Sequence, residues 1–285
     1  WLLRDLVDGR SWTIVKTGTG YLLTAPTIDA LAIAASAAVS GGAVAVNVAG
    51  AGAEASNTIN TQTSATISSS TVTATTVEVL ATSSRGILAT IVGAALAAGG
   101  GAGAASGALG VVIARNDIGF TAAGVRAPTT VSALISGSTV TADVITIRAT
   151  GAQSIDTLVL AAAAGLTAAL VGGSAAGAGA SAVNRIAVDV SAAASTSTLA
   201  GVGASRTLTV AASDTSSIIA IVGAVALTVT GGLAGLSVSI GVALAQNQID
   251  STTLAQLDRV TATSLGVSVT SQSTATIVAV TAAAA

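Results

Sequence analysis

The sequence lacks cysteine, methionine and histidine, and aromatic residues make up only 1% of the chain. Without cysteine there is no disulfide framework, thiol nucleophile or thiolate metal site. Without histidine the commonest general base and metal ligand is missing. These absences also remove the most oxidisable and reactive side chains, which suits a protein exposed outside the cell. We therefore expect no catalytic residues, no metal site and no cofactor.

Charge is scarce as well. Charged residues are 8% of the chain, and ten basic against twelve acidic residues give a net charge of −2. Lys16 is the sole lysine. No basic patch is available for phosphates, so a nucleic-acid partner is not expected. Hydrophobic residues reach 52%, nearly all of them Ala, Val, Ile and Leu. Such small side chains suit a thin core, in which two sheets approach closely.

A fourfold repeat organises the chain. Each copy opens with an isoleucine and closes with an asparagine 29 positions later, and another isoleucine follows two positions after that. A short strand-like triplet begins ten positions before each next opening isoleucine. Only the interval from asparagine to triplet varies, with values of 20, 29, 24 and 20. The opening residues are Ile28, Ile87, Ile155 and Ile218, and the closing residues are Asn57, Asn116, Asn184 and Asn247.

A register held so strictly in one part of each repeat is typical of stacked units, while loops on the rim can grow. We divide the chain into an irregular preceding repeat or junction, four repeats and the start of a fifth. The ranges are 1–27, 28–86, 87–154, 155–217, 218–276 and 277–285. The chain begins without methionine and stops eight residues after Ile277, so we expect it to be a segment of a longer array.

Within the repeats, large and small side chains alternate. Val44, Val46 and Val48, for example, are separated by Ala45 and Asn47. A period of two predicts strands, and a glycine pair 13 residues after the opening isoleucine in three copies predicts a corner. The predicted fold is all-β, a parallel β-solenoid with ~60-residue repeats, right-handed by the general preference of parallel crossovers. Walls apolar on both faces predict cover from the opposite wall and from neighbouring chains or a further sheet layer.

The recurring asparagine is the best-defined polar position. It predicts a stacked amide ladder, each side chain bonded to its equivalent in the next repeat. The alternative is a row of ligand or cation sites, but no carboxylate recurs beside it. The acidic residues share almost no offsets, so we expect solvated charges at corners rather than paired catalytic carboxylates or a calcium site.

Two other motifs invite a functional interpretation. The run Gly99–Gly103 lacks the Lys-Ser/Thr of a phosphate-binding loop. A regular array of Thr-x-Thr steps could bind ice, but those at Thr71, Thr139 and Thr228 drift in offset and do not recur in every copy. Ordinary solvated strand faces are the preferred interpretation.

Several stretches of the sequence resemble a known type of repeat. TAPTIDALAIAASAAVSGG, GALGVVIARNDIG and GLSVSIGVALAQNQI are similar to the Ala/Gly/Val-rich β-strand repeats of very large secreted bacterial surface proteins, which are adhesin-like or filament-forming. The likeness covers about residues 22–285. It implies export, a β-solenoid rod and a structural or adhesive role. Family copies usually carry Tyr-Ile in the strand after the variable loop, whereas this chain has Thr66-Ile67 and Leu134-Ile135.

We therefore expect a non-catalytic structural segment of an extracellular bacterial fibre or stalk at the cell surface. It would act by stacked-coil extension and by self-association, as a homopolymer or as laterally packed rods, with cell-surface attachment through regions outside this sequence. The first alternative is the passenger or stalk of a surface adhesin that binds through its variable loops. The second is a multi-pass membrane protein, because the uncharged stretches 86–114, 157–184 and 215–249 each exceed the ~20 residues of a spanning helix. The glycine pairs and the lack of an aromatic belt argue against it.

Overall fold

The computed structural model describes residues 2–4, 11–17, 20–24 and 27–285, with side chains from residue 27 onward. This part of the chain is built from strands and contains no helix. Three short strands come first and pair with one another antiparallel: β1 (Leu2–Arg4), β2 (Ser11–Thr17) and β3 (Gly20–Thr24). The rest of the expected junction at 1–27, including Trp1 and Pro26, lies outside the described residues.

From residue 28 onward the strands form a stack of layers. Layer 1 holds β4 (Ile28–Ile59), β5 (Gln62–Ser68) and β6 (Thr71–Thr73). Layer 2 holds β7 (Thr76–Ile118), β8 (Thr129–Ser136) and β9 (Thr139–Ala142). Layer 3 holds β10 (Val144–Ser195) and β11 (Thr198–Gly201). Layer 4 holds β12 (Thr207–Asp214), β13 (Ser217–Gly231), β14 (Ala234–Asp258) and β15 (Thr261–Thr263). A fifth layer begins with β16 (Gly266–Ser273) and β17 (Thr276–Ala284).

Equivalent residues of successive repeats are direct neighbours in this stack. Ile155 pairs with Ile87 on one side and with Ile218 on the other. All strand pairs from β4 onward are parallel, and they form one ten-stranded and one four-stranded open sheet. The prediction of an all-β fold with parallel strands is confirmed. Each repeat forms a single layer, so about sixty residues advance the stack by one strand spacing, ~4.8 Å.

The interval from asparagine to triplet varies in length because of insertions at two places in the stack. In layer 2 the ten residues 119–128 stand where layer 3 has only Ala187, because Ile118 pairs with Ile186 and Thr129 with Val188. In layer 3 the five residues 202–206 stand where layer 2 has only Asp143. Both insertions leave the stack and rejoin it in register, so the layers above and below stay paired.

Each layer has a wide body and a narrow arm, described here for layer 2. The body comprises 76–89 and 118–142, and its core is filled by Ile and Val side chains such as Ile118, Ile135 and Val140. The arm has a forward wall (89–99) and a return wall (103–116), joined by a turn at the glycine pair. The walls face each other over alanine, including Ala97 and Ala114. The thin core expected from composition is found in the arm.

The arm places its small side chains inside and its large ones outside. Ala45 is 4% exposed, whereas its neighbours Val44 and Val46 are 80% and 71% exposed. The same alternation continues in layer 4, where Leu236 and Ile240 lie on the outer surface. Because soluble proteins rarely expose contiguous apolar patches larger than a few hundred Å², both outer faces of the arm are unusual surfaces.

The three uncharged stretches that raised the possibility of spanning helices, 86–114, 157–184 and 215–249, run almost entirely as strands along the two walls of the arm. Nowhere in the part of the chain that the structure describes is there a helix both long and apolar enough to cross a membrane.

Gly119 starts the larger insertion and offers a direct test of the layer register. It has φ +74°, and an added Cβ would overlap the carbonyl oxygen of Ala187 in the next layer. We expect Gly119→Ala to lower the free energy of unfolding by about 2–4 kcal/mol, from left-handed backbone strain plus a main-chain clash. Urea unfolding followed by circular dichroism measures this. Gly266→Ala is the control, because its Cβ would lie 3.6 Å from the nearest atom, the oxygen of Arg206. Equal losses for the two variants would contradict the register.

Candidate functional site

The four repeating asparagines form a continuous ladder of side-chain hydrogen bonds. Asn57 Nδ2 donates to Asn116 Oδ1 (2.8 Å), Asn116 Nδ2 to Asn184 Oδ1 (2.9 Å), and Asn184 Nδ2 to Asn247 Oδ1 (2.8 Å). The two inner residues, Asn116 and Asn184, are fully buried. The ladder lies at the neck of the layer, where the alanine core of the arm meets the aliphatic core of the body.

Thr157 completes the inner part of this ladder from the opposite wall. Its hydroxyl accepts from Asn116 Nδ2 (2.9 Å) and donates to Asn184 Oδ1 (2.8 Å). The buried carbonyl oxygens therefore accept N–H or O–H donors of the protein itself. The geometry is that of a structural ladder, in which a buried amide is satisfied by its equivalents.

A second polar row crosses the arm near its tip. Ser106 and Thr167 face each other with their hydroxyl oxygens 2.6 Å apart, and one layer on Ser174 meets Thr230 at 2.6 Å. In layer 1 the position is taken by Asn47, whose Nδ2 donates to the oxygen of Ala98 (2.8 Å). The larger amide fits because the facing residue is Gly99, where a Cβ would lie 2.8 Å from Asn47 Nδ2.

A row of serines lies at one corner of the body, where the chain turns. Ser138 Oγ accepts from the main-chain nitrogen of Ser70, and Ser197 Oγ accepts from that of Ser138, both at 3.1 Å. The residue before each of these positions has a left-handed backbone. These residues are Ser69, Gly137 and Thr196, and Arg259 takes the same conformation before Val260 in layer 4. The sequence analysis missed this row, although serine two residues after a strand end in three repeats was a visible signal.

Of the acidic residues near the asparagines, Asp117 contradicts the expectation of solvated corner charges, whereas Glu54 is exposed and Asp189 and Asp250 are partly exposed. The side chain of Asp117 is only 1% exposed. It accepts two hydrogen bonds from Arg185, 2.7 Å from Nε and 3.0 Å from Nη2, and one from Arg115 Nε at 2.8 Å. The hydrogen bonds to Asp117 raise the pKa of Arg185 above its ordinary value. Asp117 and Arg185 each follow a ladder asparagine, so stacking places them in adjacent layers.

The insertion 119–128 folds back over this charge cluster. The guanidinium of Arg185 lies over the ring of Phe120, 4.6 Å from its centroid, and Arg185 Nη1 donates to Gly124 O. Further along, Arg126 Nη2 lies 2.7 Å from Asp189 Oδ1 in layer 3, and its Nε lies 2.7 Å from Asp250 Oδ2 in layer 4. One insertion thus ties three layers together through charged side chains.

Asp214 also contradicts the expectation of solvated corner charges, because it is completely buried at another corner of the body. Its Oδ1 accepts from the Ser216 hydroxyl at 2.7 Å, while Oδ2 has no hydrogen-bond partner. The residue paired with it in layer 3 is Gly151, where an added Cβ would lie 3.4 Å from Asp214 Oδ1.

The threonine steps also differ from the sequence-based expectation. In the four-stranded sheet Thr71, Thr139, Thr198 and Thr261 are in register, and Thr73, Thr141 and Thr263 form a second column that Ala200 completes in layer 3. The distance of these threonines from the opening isoleucine varies only because the insertion 119–128 lengthens the second repeat. Thr228 belongs to the arm and is unrelated to these columns.

Comparisons with models of protein families, with curated proteins and with solved structures find no match. Within the residues that the structure describes, no three acidic side chains come together in a way that could hold a metal ion. The features that remain as functional candidates are the free edges of the stack and the apolar outer faces of the arm.

The asparagine ladder predicts a difference between inner and end layers. Asn116→Leu would leave the amide of Asn57, the hydroxyl of Thr157 and the amide oxygen of Asn184 short of partners in a buried site. We expect a loss of about 2–4 kcal/mol in the free energy of unfolding. Asn57→Leu, at the end of the ladder, is the matched control and should lose about 1 kcal/mol. Urea unfolding of both variants measures the difference, and equal losses would show that the ladder does not act as a buried network.

We expect a similar contrast in the free energy of unfolding between loss of a buried charge, Asp117, and loss of an exposed one, Arg126. Asp117→Asn removes the charge that binds two arginines, and we expect a loss of about 2–3 kcal/mol. Arg126→Gln is the control, because its ion pairs are more than one-third exposed and such pairs contribute about 0–1 kcal/mol. Thermal and urea unfolding measure both variants. A larger effect of Arg126→Gln would place the main stabilising contact of the insertion at its tip instead.

Proposed function

We propose that this chain is a non-catalytic structural segment of an extracellular bacterial fibre or stalk at the cell surface. In the proposed form each repeat is one coil of a closed, right-handed parallel β-solenoid, right-handedness being the rule for parallel crossovers. The chain extends by adding coils and associates with copies of itself. The resemblance to repeats of giant secreted bacterial surface proteins supports this proposal from the sequence.

The observation that carries the proposal is the register between layers. Every residue of β4 from Ile28 to Ile59, apart from the turn residue Ala43, pairs with its equivalent in β7, and β7 pairs likewise with β10. Force along the stack is therefore resisted by a full set of main-chain hydrogen bonds in each layer. A layer of about sixty residues rises only ~4.8 Å, so length must come from very many repeats or from association of separate copies.

Each end of the described stack has an open strand edge. Among the described strands β4 pairs only with β7, which leaves the other edge of layer 1 open. The asparagine ladder also has a direction: among the described residues Asn57 Oδ1 accepts no hydrogen bond and Asn247 Nδ2 donates none. A second copy placed head to tail would pair its return wall with β14, whose edge is open, and would set its Asn57 on Asn247. Its forward wall would find no free strand there, because β17 already covers β13. Open parallel edges of this length are templates for pairing.

A second candidate function is that of an adhesin passenger or stalk that binds through its variable segments. The observation that favours it is the insertion 119–128, which the ion pairs of Arg126 hold in place while Val125 at its tip remains 62% exposed. Isolated rods that bind a surface through this insertion, and lose that binding when 119–128 is shortened to one residue, would support the adhesin over the fibre.

Proline in the open edge tests the fibre. Ile59 O accepts from Gly119 N in layer 2, and alternate residues of a parallel strand direct their main-chain groups to opposite neighbours, so Ser56 N–H faces the open edge. We expect the chain to form filaments with a ~4.8 Å axial spacing, and Ser56→Pro to abolish them while changing the free energy of unfolding by less than about 1 kcal/mol. Cryo-electron microscopy and fibre diffraction measure both. Ser56→Ala is the control and should assemble as the parent does; filaments of Ser56→Pro equal to the parent's would refute stacking through this edge.

A further inference from the structure

The outward side chains of the return wall form a surface with a regular relief. We call this surface the return face; it comprises Val44–Glu54 in layer 1, Gly103–Ile113 in layer 2, Val171–Ser181 in layer 3 and Ala234–Leu244 in layer 4, in register. Leu109, Val111 and Ile113 form a ridge in layer 2, and Ile240, Val242 and Leu244 form one in layer 4. The same columns hold Gly50 and Gly52 in layer 1, and Gly177, Gly179 and Ser181 in layer 3.

Two glycines of this surface are open grooves, whereas Gly177 lies beside Leu109 of the preceding layer, whose Cδ1 would be 3.1 Å from an added Cβ. A Cβ added at Gly50 or Gly179 would meet no atom within 4 Å. Ridge and groove alternate from one layer to the next, so the relief repeats every two layers, ~9.6 Å. The forward face alternates in one column, Ala37, Leu96, Ala164 and Leu227, but the neighbouring column holds Ala35, Ala94 and Ala162 in three consecutive layers.

We propose that the return face pairs with the return face of a second copy of this chain about a twofold axis that runs along the strands, between layers 2 and 3. This inference rests on the proposed self-association and specifies its lateral contact. The axis sets layer 2 opposite layer 3 and layer 1 opposite layer 4. Leu109 then faces Gly177, Val111 faces Gly179, and Ile113 faces Ser181. In the outer layers Ile240 faces Gly50 and Val242 faces Gly52. In these columns each ridge enters a groove, as in a steric zipper. Nearer the tip, large side chains of the outer layers face each other, Val46 against Leu236 and Val48 against Val238.

The size of the face matches a stable pair. Eleven residues in four layers cover about 36 by 19 Å, or about 700 Å² per copy, close to the ~800 Å² that each partner contributes to a standard interface. Glu54, at the rim, is the sole charged residue in the four ranges. Toward the tip, Gly107 and Ala175 lie between Val48 in layer 1 and Val238 in layer 4 and form the floor of a shallow apolar depression. In the pair, the valines of the two copies meet around this depression.

A second copy fits this surface better than a lipid surface does. The return face carries no lysine, arginine, tryptophan or tyrosine, the residues that anchor proteins at a membrane interface. Fluid acyl chains also gain nothing from a relief with a fixed two-layer period, whereas a copy of the same face is complementary to it in the columns of Gly50 and Gly52. The return face is therefore assigned to pairing of this chain with itself.

The test fills one groove. Gly179→Val fits the single copy, because the space above Gly179 is open, but it would overlap Val111 of the second copy at two symmetric places. We expect it to raise the dissociation constant of the pair about a hundredfold or more. Sedimentation equilibrium measures this in the Ser56→Pro background, where head-to-tail stacking is blocked, and circular dichroism checks that the fold is kept. Ala162→Val is the matched control, since it adds bulk in the same layer on the opposite face of the arm.

Exchange of ridge and groove provides the decisive readout. The double variant Val111→Ala/Gly179→Val moves bulk from one side of the contact to the other, and we expect its dissociation constant to return to within about tenfold of the parent value. Loss with Gly179→Val, no loss with Ala162→Val and recovery in the double variant support the proposal. A parent that stays monomeric at ~100 µM, equal losses in both single variants, no recovery, or binding to phosphatidylcholine vesicles in place of pairing would overturn it.

The two assembly modes fail separately. Filaments without lateral pairs would overturn the pairing of return faces and leave the fibre intact. Pairs without filaments would leave the pairing intact and overturn the fibre.

Discussion

The main-chain hydrogen bonds between equivalent residues of successive repeats are the constraint on which the rest of the structure depends. A parallel ladder in which Ile pairs with Ile and Asn with Asn allows no change of length inside the paired walls. The two insertions therefore loop out of the stack, at 119–128 and 202–206, and return in register. Each side chain then lies beside its equivalents in the layers above and below. Each column of the stack therefore needs residues that tolerate similar neighbours.

Columns of identical polar residues satisfy this requirement in different ways. An amide carries both donor and acceptor, so asparagine can bond to asparagine without limit, and the ladder runs through four layers at 2.8–2.9 Å. Hydroxyl groups behave similarly in the rows at the tip of the arm and at the body corner. Like charges cannot be stacked in this way. Asp117 is accordingly buried against Arg185 of the next layer, an opposite charge in the same column.

The arm reverses the usual arrangement of a sheet sandwich. Its interior is mostly alanine, glycine and small polar residues, which lets the walls approach closely, with a few larger side chains such as Ile91 and Val112. Alanine removes little apolar area from water when it is buried. Most large aliphatic side chains point outward, where they stabilise the chain only if another surface covers them. The body, filled by Ile, Val and Leu, supplies the conventional hydrophobic core. Within the chain the arm is held together chiefly by its main-chain ladders.

Strand period, repeat length and the positions of the ladder asparagines were all determined by the sequence itself, because a period of two and a constant interval of 29 residues are local regularities that stacking must preserve. Only the tertiary structure decided which side of each wall faces inward, since Val44 and Ala45 alternate equally well with either residue inside. Only it revealed the burial of Asp117 and Asp214 and the alignment of Thr71 with Thr139. Their neighbours in the adjacent layers are about sixty or more residues away along the chain, and for Thr71 and Thr139 the insertion 119–128 also hides the register until the layers are stacked.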